Sequence, residues 1–351
     1  MPGKFVFSKS LETEFASFVT ERKGTYSDPD AFMGFVLMAL RQLTSHPSDV
    51  AAWASLIALT FNRPVAEAQA LWAWFNAHQS LLAWGVWDGD VLAAQYSCLV
   101  RQLQLPNAQM CSVGLSTNMA VHPRYRGRGL IKQAAEPVYQ TLQQRGALAG
   151  VGFSNAAGVK VDQRSKGYGY RVVGALVSQL IWLRPVQAAP LHLTPDWPAM
   201  PIGSITHPTD QIHFEASPST LRHRYAEHPF RRYRYGLGFQ DKAAHGIVVD
   251  RPERFLGVRG ASLLHAHAAN SAALHTLLAR WVAALQAQGT KFVRVLASPG
   301  APALHVLHQL GYAITLRPRH PHYLTVKPLQ PDVPPELFDV MRWDCLGGEV
   351  L

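Results

Sequence analysis

Met119-Ala-Val-His-Pro-Arg-Tyr-Arg-Gly-Arg-Gly-Leu-Ile131 joins three local patterns in a few residues. An apolar run ends at Val121, a basic turn with two glycines follows, and an amphipathic helical pattern starts at Leu130. Strand, turn and helix start, in that order, suit an anion such as a pyrophosphate. Gly127 and Gly129 can take backbone angles that turn several N–H groups to one concave side. The helix start adds free N–H donors and the positive end of its dipole. Arg124, Arg126 and Arg128 place positive charge beside them.

This string resembles the signature of the GNAT superfamily of acyl-CoA-dependent N-acetyltransferases. The family pattern is Arg or Gln, two residues, Gly, one residue, then Gly or Ala; Arg124, Gly127 and Gly129 fill it. Val121-His122-Pro123 is similar to the end of the family's fourth strand. The family's later helix and glycine–aromatic pair have a counterpart from Asn155 to Gly169-Tyr170, followed by Arg171-Val-Val-Gly. The resemblance implies an α/β (α+β) fold and a bound acetyl-CoA. Met119, Ala120 and Val121 would meet the pantetheine arm and thioester. Arg124 and the turn from Arg126 through Gly127, Arg128, Gly129 and Leu130 to Ile131 would take the pyrophosphate. Asn155 would bond the pantetheine amides or cap the helix after it.

The chain has 351 residues, enough for two such domains. It is 48% hydrophobic and 16% charged, a globular balance. No apolar run approaches the roughly 20 residues of a membrane span, and the N-terminus has no signal-peptide core. The three cysteines have no metal or disulfide spacing, which suggests a reducing cytoplasm. The 16 histidines are scattered, so no metal is expected. The formal charge of +10 fits an anionic partner, either a coenzyme or nucleic acid.

The chain reads as a leader over residues 1–34 with a helix near 11–22, a first domain over 35–185, a linker over 186–204, a second domain over 205–330 and a tail over 331–351. In the first domain a strand runs from Phe35 to Thr44, and Asp49 caps a helix to about Thr60. Pro64 opens a second helix whose face is Ala68, Leu71, Trp72 and Phe75. Asp88-Gly89 turns a hairpin. After the glycine turn, Leu130, Ala134, Val138 and Leu142 form one helical face, with Pro137 expected to kink it.

The second half repeats the plan. A strand at 261–266 precedes a helix with Leu274, Leu277, Leu278, Trp281, Val282 and Leu285 on one face. Gly146 matches Gly289, and Gly169-Tyr170 matches Gly311-Tyr312, at nearly one offset, as in a duplicated domain. Two tandem GNAT-like domains are therefore expected, each a mixed twisted sheet flanked by helices. At the turn the second half has Ala268-Ala-Asn-Ser271, with no glycine. It is expected to share the fold without binding coenzyme.

The implied reaction is direct attack of a primary amine of a small acceptor on the thioester of acetyl-CoA, in a ternary complex. Such an enzyme must align two substrates, remove a proton from the ammonium and stabilise the oxyanion and thiolate. Asn118 stands where the family often has an aspartate, and Ser165 where it has a tyrosine. No carboxylate declares itself the base. Tyr168 is near the place of the thiolate acid, although packing is its other reading, as it is for His122.

A catalytically inactive acyl-CoA sensor or interaction module is the alternative, and the missing tyrosine and base favour it. Residues 221–235 interleave arginine with tyrosine, which suits single-stranded nucleic acid. They also suit a helix and strand packed beside the first domain, and that reading is preferred. The Pro-led segment with Leu337, Phe338 and Trp343 either walls the acceptor site or packs as a tail. Oligomeric state and acceptor identity are not legible.

Overall fold

A computed structural model describes residues 38–77, 80–162, 168–198, 210–240, 243–317 and 321–349. The expected leader, Ser165 and residues 199–204 of the linker lie outside these. Of the strand expected from Phe35, the described part is Ala39–Gln42 (β1). Two helices follow, Pro47–Phe61 (α1) and Val65–Asn76 (α2). Asp49 does not cap α1, because Pro47 already starts it after His46. From the first turn Asp49 instead accepts bonds from Thr44 N and Oγ1 and from Arg41 Nη1 at 2.7–2.9 Å, tying α1 to β1.

Leu81–Asp88 (β2), Val91–Gln104 (β3) and Met110–Val121 (β4) form an antiparallel meander. Leu130–Gln144 (α3) then returns the chain to Ala149–Asn155 (β5), which lies parallel to β4. Helix α3 stays one element through Pro137. Gln133, whose carbonyl loses the proline's N–H, lies on the exposed face. Leu142 of α3 packs over Gly114 on one face of the sheet. On the other, Trp53, Ile57, Trp72 and Phe75 of α1 and α2 share a core with Val113 and Leu115. The alternation of side chains along β4 divides the two faces.

Ala156–Asp162 (α4) and Arg171–Ala175 (β6) follow, and then the path departs from the expected domain boundary. Val177–Leu183 (β7) pairs in a second sheet, between Phe292–Ala297 and Gly311–Thr315. Only Leu176 separates β6 from β7, and no Gly, Asn or Asp stands there to turn a two-residue hairpin. The chain therefore runs on into the neighbouring sheet.

The second sheet is built from Leu193–Thr194 (β8), Arg234–Gln240 (β10), Ala243–Phe255 (β11), Val258–Ala268 (β12), Phe292–Ala297 (β13) and Gly311–Thr315 (β14), with β7 inserted. His213–Phe214 (β9) pairs with β3 of the first sheet. Pro218–Leu221 (α5) precedes β10. Ser271–Ala287 (α6) and Pro302–Leu310 (α7) cover one face of the second sheet. Part of the expected linker belongs to this unit: Leu191 is in its core and β8 pairs β10. A proline- and alanine-rich composition suits extended edge backbone as well as a linker.

The last strand, His322–Pro328 (β15), returns to the first sheet between β5 and β6. Each half thus supplies the strand that completes the other's sheet, so cuts at 185 or 205 separate neither. After β15, Leu337 and Trp343 enter the first core, joining Leu324 and Val326.

Those four buried side chains are worth roughly 6–12 kcal/mol at about 1.5–3 each, which rivals the whole stability of a typical domain. A chain ending at residue 185 is expected not to fold, giving no cooperative melt by circular dichroism. The full chain should melt in one transition. A truncated chain with a native-like cooperative melt would contradict the exchange.

Candidate functional site

The site begins with a bulge. Along β4, Ala120 pairs with Gln95 and Thr117 with Ser97, so Asn118 and Met119 oppose the single residue Tyr96. Asn118 takes a left-handed φ of 49°. Side chains of β3 satisfy the displaced carbonyls: Ser97 Oγ donates to Thr117 O at 2.7 Å, and Gln95 Nε2 donates to Asn118 O. Both side chains are buried. Pairing of β4 with β5 stops at Leu115 and Val151. Beyond that level β4 has a backbone edge not paired with β5, and the two strands part into a slot.

The last residues of β4, Met119, Ala120 and Val121, run along this slot to the turn. Pro123–Tyr125 forms a short 3-10 turn, with His122 Nδ1 accepting from Arg124 N at 3.3 Å. Here His122 caps a turn. Tyr125 donates to Asp88 Oδ2 at 2.7 Å and carries the Arg128 guanidinium 5.2 Å from its ring centre. Gly127 and Gly129 have φ of 82° and 73°, and a side chain at either would meet only open space within 4 Å. The glycines are therefore required by backbone angle, not crowding. Gly129 caps α3 without a side-chain bond. Among the described residues, no acceptor meets the N–H groups from Gly127 to Ile131. Arg124, Arg126 and Arg128 are exposed beside them, so the turn is a ready anion cradle.

Below the slot, on the α3 face, lies a hydroxyl network that sequence reading missed. Ser116 bonds Tyr96 and, at 2.8 Å, Tyr170; Tyr139 donates to Tyr96 at 2.8 Å. Burial pushes Tyr96 and Tyr139 well above the usual tyrosine range and raises Tyr170 as well. These groups stay protonated and act as donors. Burial likewise pushes the Cys98 thiol up to about 12, which removes it as a nucleophile. A polar pair inside the apolar run of β3, Gln95 and Ser97, was the available sequence signal for the bulge.

Tyr168 is buried, its ring 6.2 Å from that of Tyr96. Its carbonyl accepts from Lys327 Nζ at 2.6 Å. Lys327 and Thr325, which donates to Gly152 O at 3.2 Å, come from the exchanged β15. Asn155 ends β5, and its Oδ1 accepts from Ala157 N and Gly158 N, both at 3.0 Å. That is a helix cap on α4, which leaves the amide nitrogen as its group for a ligand.

The second sheet has the same parallel pair, β12 with β13, and the same bulge, between Val249 and Asp250 of β11. Its slot is filled by the chain's own tail. Leu346 bridges Ala297, Gly348 N donates to Leu264 O at 2.9 Å, and Ser298 N donates to Cys345 O at 2.9 Å. The turn before α6 is closed by Asn270, whose Oδ1 accepts from Ala273 N at 2.8 Å.

In the segment 221–235, Tyr225, Tyr233 and Tyr235 lie in a buried cluster. Arg224 pairs Glu349 and Arg234 pairs Asp250. These rings are no platform for bases. Among the described residues no group of three metal-type side chains gathers, and no helix is long and apolar enough to cross a membrane.

Residues 40–171 match the family described as acetyltransferase (GNAT) domain. No curated protein matches the chain by sequence. Among solved structures, a GCN5-related N-acetyltransferase from Anabaena variabilis aligns at TM-score 0.63 with 12% identity, covering 83% of this chain and 73% of that one. A conserved protein of unknown function from Enterococcus faecalis gives 0.61 and 11%, covering 84% and 72%. A GCN5-related N-acetyltransferase from Kribbella flavida gives 0.57 and 15%, covering 82% and 71%. At these identities the likeness is one of fold.

Replacing Ser97 by Ala or Gln95 by Leu strands a buried β4 carbonyl. Each change should cost about 1–3 kcal/mol of stability, read by urea denaturation. A loss below about 0.5 kcal/mol in both variants would show that the bulge does not depend on them.

Proposed function

Residues 40–171 match a GNAT acetyltransferase domain, and from that match we propose that the chain moves an acetyl group from acetyl-CoA to a primary amine of a small acceptor. The observation that carries this reading is the turn from Gly127 to Ile131, whose unengaged N–H groups adjoin the slot between β4 and β5. The turn would hold the pyrophosphate, with Arg124, Arg126 and Arg128 adding charge. The edge of Met119, Ala120 and Val121 would bond the pantetheine amides as an added strand does.

The amine nitrogen attacks the thioester carbonyl, the C–N bond forms, the C–S bond breaks, the nitrogen releases a proton to solvent, and the leaving sulfur takes one from a donor that solvent then reprotonates. Tyr168 is the proposed donor of that proton, supported by its place beside the Tyr96–Ser116 network. Because Cys98 stays a thiol, direct attack is favoured over an acyl-cysteine route. Free cysteines and the absence, among the described residues, of a membrane-length apolar helix support a cytoplasmic enzyme.

The second sheet is proposed to bind no coenzyme. Residues 345–348 lie in its slot, and Asn270 closes its turn. Calorimetry should therefore give one acetyl-CoA per chain. The double variant Gly127→Val, Gly129→Val should lose most of that affinity. Asn270→Ala should cost about 1 kcal/mol of stability yet leave affinity intact. A stoichiometry of two, or unchanged binding in the double variant, would refute the assignment. Thiol release with an amine panel tests turnover, and binding without release would make the chain a sensor.

A further inference from the structure

Away from the turn, a cleft of about 220 Å³ opens between the end of α2 and residues 215–224. Trp74, Phe75 and Leu99 give it apolar walls, and Arg101, Glu215 and Arg224 give it charge. The walls are fixed across the two halves: Trp74 Nε1 donates to His223 O at 2.9 Å, and the His223 ring stacks on Trp74 at 5.4 Å.

Two arginines and two carboxylates, Glu215 and Glu349, lie in or beside the cleft, but they are unevenly engaged. Arg224 is engaged, donating from Nε to Gly348 O at 2.7 Å and pairing Glu349 at 3.2 Å. Glu215 accepts from Thr220 Oγ1 at 3.3 Å. Arg101 is different. Among the described residues its guanidinium has neither a hydrogen-bond acceptor nor a carboxylate at ion-pair distance, and it rests 5.4 Å from the Phe214 ring centre. Burial first, then the nearby charge of Arg224, pushes its pKa down. Glu349 and Glu215 act on it from a distance, in the direction opposite to burial, but neither meets the guanidinium, and an arginine fork beside apolar walls is matched to a carboxylate.

We propose that this cleft is a binding site for a small organic monocarboxylate with an apolar body, separate from the coenzyme site. Arg101 takes the carboxylate, and Trp74 and Phe75 cover the body. Glu215 and Glu349 disfavour a second negative charge. The volume lies below the range of drug-sized pockets, which suits a small ligand. Arg101 of β3 pairs with Val113 of β4, away from the bulge and on the face opposite α3, so occupancy need not disturb the turn. The inference is independent of the acetyl-transfer reading.

The test is calorimetry on the full chain with phenylacetate, and with phenylacetamide as its uncharged counterpart. Phenylacetate should saturate in the millimolar range or below, and the amide should bind at least tenfold more weakly. Arg101→Met should lower phenylacetate affinity at least tenfold, leave acetyl-CoA affinity unchanged, and melt no lower than the parent without ligand. Equal binding of acid and amide, no saturation by phenylacetate, or undiminished phenylacetate binding in Arg101→Met would overturn the proposal. The acid–amide comparison uses the unaltered chain, so it decides even if the variant does not fold.

Discussion

The bulge in β4 sets the geometry on which the site depends. A regular ladder would keep β4 hydrogen-bonded to β5 along its whole length and leave no slot. Placing Asn118 and Met119 opposite Tyr96 turns the end of β4 away after Leu115. The cost is two displaced carbonyls in a dry interior, and Gln95 and Ser97 offset it with side-chain donors. The freed edge then leads into the glycine turn and the start of α3. The open edge of β4 and the glycine turn are thus consecutive along the chain.

The same backbone plan in the second sheet has a different outcome. The parallel pair parts in the same way, but residues 345–348 lie in the opening. Arg224 holds that tail through Gly348 and Glu349, and burial keeps Asp344 up at about 7. Backbone groups of the kind the first sheet leaves open are consumed here by the chain itself. An unfilled slot would leave polar backbone in the interior, so a half without a glycine turn gains stability by closing it.

Strand exchange binds the two halves energetically and chemically. β15 brings Thr325 to Gly152 and Lys327 to Tyr168. Groups beside the slot therefore come from both ends of the sequence. The C-terminal segment passes through the first core by way of Leu337 and Trp343 before it reaches the second sheet. Neither half has a complete core alone.

The sequence alone determined many of the elements and the glycine turn before α3. Helix faces such as Leu130, Ala134, Val138 and Leu142 follow from a period of 3.6. Gly127 and Gly129 follow from the need for positive φ, a requirement local to each residue. A second strand–helix–strand unit was legible because turn glycines recur at one offset. The role of Asn155 as a cap was one of two readings that its local chemistry allowed. The exchange of β7 and β15 was not legible, because a strand's pattern records that it is buried and not which sheet buries it. Nor were the pairing of Ser116 with Tyr170, the tail within the second slot, or the place of Arg101 in the cleft. These depend on residues far apart in the chain meeting in space, and only tertiary packing decides which of them do.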